Sequence, residues 1–219
     1  MADEPKSSKF VELLLRWFDA NRRNYPWRKT KEPYSILIAE LMLQRTKADQ
    51  VVAVFEKFLK KYPDPQALAA ATVGEIRKAI LPLGLKKRAP VFKRLGKDLI
   101  QKFGGQIPSD REKLLELFGI GNYVANAVMC HSYGECVPTV DANFARVLRR
   151  VFSVTAKEPA QKDGRIWKFA ESLIPLARHR VSEFNLSIID LGGSICLPRN
   201  SKCCICPLNR MCDYYAASR

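Results

Sequence analysis

Apolar residues recur along this chain at three- and four-residue spacings, and nowhere do they show the sustained alternation of a half-buried strand. Phe10, Leu13, Leu14, Trp17 and Phe18 fall at i, i+3, i+4, i+7 and i+8, which predicts an amphipathic opening helix. A break follows at Asn24-Tyr25-Pro26-Trp27-Arg28. The next helix, from Ser35 to about Lys47, is apolar nearly all round between Ile36 and Leu43, the pattern of a central, buried element. It holds one carboxylate, Glu40. Further helices are expected at about 49–61, 65–71, 74–80, 86–103, 110–117, 122–133, 142–152, 163–176 and 181–192. The fold class is therefore all-α. Glycine and proline breaks are short, no internal repeat is evident, and no flexible linker separates two independent domains.

Between residues 109 and 133 the pattern is helix, tight turn, helix. Ser109 followed by Glu112 forms a candidate capping box for a helix carrying Leu114, Leu115 and Leu117. That helix stops at Phe118-Gly119-Ile120-Gly121, and Asn122 to Met129 starts another. The two glycines permit positive φ and a close approach of bare backbone to another object. Amides at the hairpin and at the new N-terminus suit a phosphate. A plain αα-hairpin reads the same way. Twenty residues beyond Gly121, Pro138-Thr139-Val140 leads in extended form to Asp141, ahead of the 142–152 helix. Asp141 is either the N-cap of that helix, or a carboxylate with a chemical task, or both.

Composition adds a partner and a cofactor to this outline. Lys and Arg outnumber Asp and Glu by 37 to 22, for a net charge of +15 spread along the chain. A polyanionic partner is the natural inference, against a basic surface of no consequence. The N-terminus has no apolar signal core, and no stretch approaches the roughly 18 apolar residues of a membrane span, so a cytoplasmic protein is expected. Five of the seven cysteines lie in the last 24 residues, and four of them, Cys196, Cys203, Cys206 and Cys212, give the spacing C-x6-C-x2-C-x5-C. Four thiolates so placed suit either structural zinc or an iron-sulfur cluster. Cys130 reads as a core thiol and Cys136 as a loop thiol. A carboxylate buried at Glu40 costs on the order of several kcal/mol unless it is paired or protonated, so it is either half of a salt bridge or a group with a raised pKa.

Gly119-Ile120-Gly121 followed by Asp141 resembles the helix-hairpin-helix DNA glycosylases. With the Tyr25-Pro26-Trp27-Arg28 approach and the Ala39 to Thr46 helix, the likeness runs over nearly the whole chain. It is nearest to the thymine/uracil mismatch glycosylases related to the adenine mismatch enzymes. Phe118 departs from the family, in which many members have proline. The resemblance implies two lobes: a helical barrel with the hairpin at 28–135, and a second lobe of 1–27 plus 136–219 that carries the cysteine loop. It implies a 4Fe-4S cluster on Cys196, Cys203, Cys206 and Cys212, selects Cys203 over Cys204, and gives the loop a structural, DNA-binding task aided by Lys202 and Arg210. Asp141 becomes the carboxylate beside the sugar, and Glu40 the group that binds and protonates the departing base.

Tyr123 stands where bifunctional relatives carry the lysine that forms a Schiff base. A phenol cannot become an imine, so hydrolysis without strand cleavage is expected. Tyr123 then lines the pocket or only packs. Because a base must leave the duplex to be cut, something must fill the gap. Gln44 and Leu85 resemble the inserting positions, although Leu85-Lys86 replaces the aromatic pair typical of adenine enzymes. Lys86, Lys87 and Arg88, with the amides of Gly119 and Gly121, are candidate phosphate contacts, and Arg45 a reader of the orphaned base. Each side chain could equally be a solvated surface residue. Val140-Asp141-Ala142-Asn143-Phe144 looks closer to the thymine and uracil enzymes, and the chain ends seven residues after Cys212, where adenine enzymes typically continue. The expectation is a monomer, with no membrane partner, that excises thymine or uracil from G·T and G·U mismatches in double-stranded DNA during base excision repair. Adenine excision opposite guanine or 8-oxoguanine is the alternative. A non-catalytic DNA-binding module is a third reading, and the presence of both Glu40 and Asp141 argues against it.

Overall fold

The computed structural model describes residues 4–218, and among them every regular element is helical. In chain order the α-helices are α1 (Glu4–Asn21), α2 (Pro33–Leu43), α3 (Ala48–Lys61), α4 (Pro65–Ala70), α5 (Val73–Ala79), α6 (Ala89–Phe103), α7 (Arg111–Leu115), α8 (Asn122–Tyr133), α9 (Ala142–Phe152), α10 (Gly164–Leu173), α11 (Val181–Ser194) and α12 (Asp213–Ala216). Short 3-10 turns join several of them, including Lys86–Arg88 ahead of α6 and Ile174–Arg180 after α10. No helix among the described residues is long and apolar enough to cross a membrane. The chain divides into two compact units, one contiguous (Asn24–Glu135) and one that joins Met1–Arg23 to Cys136–Arg219.

In the contiguous unit α2 is the hub. Leu37, Ile38, Ala39, Leu41 and Met42 are fully buried, as an all-round apolar helix requires, and α2 packs on α3 and α8. Each such Leu or Ile contributes about 1.5–3 kcal/mol by leaving water. Pro33 occupies the first turn, and the Glu32 carboxylate accepts from the Tyr34 and Ser35 amides at 2.9 and 2.5 Å. The helix ends at Leu43, four residues short of the expected Lys47. Gln44 (φ −62°, ψ 108°) and Arg45 (φ 64°) instead form a type II turn closed by the Thr46 amide on the Leu43 carbonyl at 3.2 Å.

Gly96 sets how closely α4 and α6 pack. A Cβ there would lie 2.8 Å from the Ala69 backbone nitrogen and 3.0 Å from the Pro65 carbonyl oxygen. In the discontinuous unit, Phe10 of α1 meets Phe152 of α9 edge-on at 5.0 Å and Phe184 of α11 at 6.2 Å. Phe144 completes this aromatic core against Phe184. Gly192 of α11 lies so close to α9 that a Cβ would meet that of Asn143 at 2.6 Å. The backbone obstacle at Gly96 cannot rotate away, so Gly96→Ala is expected to cost about 1–3 kcal/mol in denaturant unfolding. Gly74→Ala, where the nearest atom is 3.8 Å away, is expected to leave stability nearly unchanged.

Candidate active site

The hairpin is assembled by polar side chains. Asp110, rather than Ser109, caps α7, accepting from the Glu112 and Lys113 amides at 2.9 and 3.1 Å. Only Asp110 takes the extended N-cap position, which moves the start of the helix one residue along. Arg111 then crosses the turn, donating through Nε to Asn126 (2.8 Å) and through Nη2 to Asn122 (2.9 Å) on α8. From behind, buried Asp98 of α6 accepts from the Phe118 amide at 3.4 Å, and Lys102 donates to the Glu116 carbonyl at 3.1 Å. Gly119 needs its positive φ of 84°, and a Cβ there would also strike Val91 at 2.7 Å. Gly121 differs: its φ of −113° is open to any residue, and nothing lies within 4 Å of a Cβ. It is the exposed N-cap of α8, with no side chain to occupy the first-turn amides. Phe118 beside it is 56% exposed.

Glu40, Gln44, Arg45, Leu85, Lys86, Lys87, Arg88 and Tyr123 belong to this same unit. Glu40 is 6% exposed on α2, and Tyr123 is half-buried in the first turn of α8. Arg45, Lys86 and Lys87 are exposed. Arg88, half-buried, donates to the Leu41 carbonyl (2.8 Å) and to Gln44 Oε1 (2.5 Å), which brings the 44–46 turn and the 84–88 loop together.

Asp141 belongs to the discontinuous unit. Its approach is fixed by fully buried Asn185 of α11, whose amide donates to the Val137 carbonyl (2.9 Å) and accepts from the Thr139 amide (3.1 Å). The Asp141 carboxylate caps α9, accepting from the Phe144 amide at 2.7 Å, while its other oxygen accepts from Asn143 Nδ2 at 2.9 Å. Arg146 in turn donates to Asn143 Oδ1 (2.8 Å), the Gly192 carbonyl (2.7 Å) and the Cys196 carbonyl (2.9 Å). Burial raises the Asp141 pKa above the ordinary carboxylate value, against the amide bonds and the Arg146 charge that lower it.

One turn further along α9, Arg150 holds the cysteine loop. It donates to the Leu197 carbonyl and Ser201 Oγ, both at 2.7 Å, lies 3.4 Å from Cys196 Sγ, and stacks on Tyr214 at 4.6 Å. Cys196, Cys203, Cys206 and Cys212 line one cavity together with Val147, Val151, Leu191 and Leu208. Cys204 is exposed, with its sulfur 3.9 Å from the Tyr215 hydroxyl. Burial, and then the neighbouring cysteines, push the Cys206 thiol up to about 11. Among the described residues no group of three or more His, Cys, Asp or Glu is placed to hold a metal ion. Cys130 is buried and Cys136 exposed.

Asn143, Arg146, Arg150 and Asn185 were not anticipated as site residues. The only trace in the sequence is the pair of arginines four apart on α9, which could equally be a solvated stripe.

The glycine hairpin and the carboxylate that caps α9 lie in one stretch of the helical chain. Residues 38–172 match the family model described as HhH-GPD superfamily base excision DNA repair protein, and the chain belongs to that superfamily. A thymine-DNA glycosylase of Aeropyrum pernix is 40% identical over 97% of both chains. A thymine/uracil-DNA glycosylase of Pyrobaculum aerophilum is 38% identical over 95% of this chain and 92% of its own. The solved structure of a thermostable thymine-DNA glycosylase aligns with 99% of this chain and all of its own at a TM-score of 0.91 and 37% identity. The cap assignment is checked by denaturant unfolding: Asp110→Ala is expected to cost about 1 kcal/mol and Ser109→Ala close to nothing.

Proposed function

We propose that this chain is a monofunctional DNA glycosylase that flips thymine or uracil out of G·T and G·U mismatches in duplex DNA and hydrolyses its N-glycosidic bond. The observation that carries the reading is the near full-length similarity to thymine/uracil-DNA glycosylases, joined to an Asp141 carboxylate held by the Phe144 amide and the Asn143 side chain. As the bond between sugar and base breaks, its electron pair leaves with the base and the sugar gains oxocarbenium character. Asp141 stabilises that positive charge and orients the water that adds to the anomeric carbon. Glu40 supplies a proton to, or polarises, the departing base. Tyr123 has no amine to attack the sugar, so the product is an abasic site in an unbroken strand. The hairpin amides, Lys86 and Lys87 bind phosphates, Arg45 reads the orphaned guanine, and Gln44 and Leu85 fill the vacated stack.

The four thiols around one largely apolar cavity suit an iron-sulfur cluster, which, when bound, supplies a rigid, four-point staple for the loop. Cys196, Cys203, Cys206 and Cys212 would hold it, and Lys202 and Arg210 would lend the loop positive charge toward DNA. A purified protein with broad visible absorbance and about four irons per chain is expected; a colourless zinc protein would contradict the assignment.

Single-turnover excision from duplexes carrying G·T, G·U, A·G and A opposite 8-oxoguanine, with and without alkali, tests the specificity. Cleavage of the G·T and G·U duplexes only after alkali is expected; activity confined to the adenine duplexes overturns the choice of base. Asp141→Asn should lower the rate at least about a hundredfold while DNA binding is largely kept. Because the ionised carboxylate is the working form and its pKa is raised, the wild-type rate should rise with pH through a midpoint higher than that of an ordinary aspartate.

A further inference from the structure

The two loops that carry Gln44 and Leu85 are tied by one residue. Arg88 donates its backbone N–H to the Leu85 carbonyl at 2.8 Å, while its guanidinium spans to the Leu41 carbonyl (2.8 Å) and to Gln44 Oε1 (2.5 Å). The same arginine thus touches both loops, once through the main chain and twice through the side chain. The Leu41 carbonyl is one of those that the early end of α2 leaves without an in-helix donor, so Arg88 also finishes that helix. Beyond it the turn is strained, since Arg45 sits at φ 64° where a type II turn favours glycine. A non-glycine residue held there is disfavoured and persists only where its surroundings enforce it. Lys86 and Lys87 on the same stretch are exposed, whereas Arg88 is half-buried and two of its donors are already engaged. Burial, and then the nearby Arg45 charge, lower its pKa.

We propose that Arg88 is a positioning residue that joins the two loops, so that Gln44 and Leu85 enter the duplex as a single wedge. This rests on the function proposed above. A phosphate ligand and a wedge tie predict different behaviour. A lost phosphate contact weakens binding to all DNA and lowers the salt slope by about one charge. A lost tie matters only where a paired base must be pushed out.

The test compares wild type with Arg88→Ala, Arg88→Lys, Gln44→Ala and the Arg88→Ala/Gln44→Ala double variant, and includes Arg88→Gln in case the alanine variant fails to fold. Flipping is read from 2-aminopurine fluorescence beside a G·U pair, and excision is timed on that duplex and on uracil within an unpaired bubble. On the duplex, Arg88→Ala and Gln44→Ala should each slow flipping and excision about tenfold, and the double variant no further, because coupled residues are not additive. On the bubble, Arg88→Ala should stay within about twofold of wild type, and Arg88→Lys should recover part of the duplex loss. Additive losses, equal losses on duplex and bubble, or a salt slope reduced by about one would each overturn the tie. Wild-type flipping that Arg88→Ala or Arg88→Gln leaves unchanged overturns the tie alone. A wild type that shows no flipping overturns the tie together with the function it rests on.

Discussion

The bonds made by Arg146 are the constraint on which the discontinuous unit depends. One guanidinium reaches the Asn143 side chain, the Gly192 carbonyl and the Cys196 carbonyl, and so fixes the start of α9, the end of α11 and the entry to the cysteine loop at once. Asn143 passes that restraint to Asp141 by a single further hydrogen bond. Arginine serves here because its planar fork addresses several carbonyls in fixed directions, which a lysine ammonium on a flexible stem does not. The tight contact at Gly192 is part of the same device: any side chain there would push α11 off Asn143 and lengthen each of these bonds. Arg150 repeats the arrangement one turn on, so α9 carries the carboxylate at its head and grips the loop along its flank.

The contiguous unit is organised by a different economy. Its centre is a helix with no polar face, and the one carboxylate on it, Glu40, lies among fully buried aliphatic side chains. The polar work is done at the edges, where Asp98 and Arg111 shape the hairpin from its two flanks. Both units thus shape a helix start with polar side chains, at Asn122 in one and Ala142 in the other, and let apolar packing hold it still.

Much of this architecture was legible in the sequence because its signals are local. The 3.6-residue periodicity located the helices, and α8 and α9 run from 122 to 133 and from 142 to 152 as expected, since a glycine turn and an aspartate cap announce them. Asp141 as a helix cap was equally visible, being a property of one residue and the three that follow. What escaped was set by distance in sequence. The end of α2 at Leu43 depends on a turn whose left-handed residue is an arginine, and on a donor 47 residues away. The grip of Arg146 and Arg150 on the cysteine loop spans a similar separation. Nothing local in the sequence separates Gly96 and Gly192 from ordinary helix-weakening glycines; only the backbone and side chains packed against them do.

The division of the chain also orders its synthesis. Residues 24–135 are consecutive and can collapse as soon as they are made, but the other unit takes its first helix from one end of the chain and its remaining helices from the other. Phe10 finds the first of its aromatic partners, Phe152, only after 142 further residues have been added. At ribosomal rates that is a wait of about 10 to 30 seconds. During it the apolar face of α1, with Phe10, Leu14 and Phe18, has no native surface to cover it, which makes the opening helix the segment a nascent-chain chaperone would have most reason to hold.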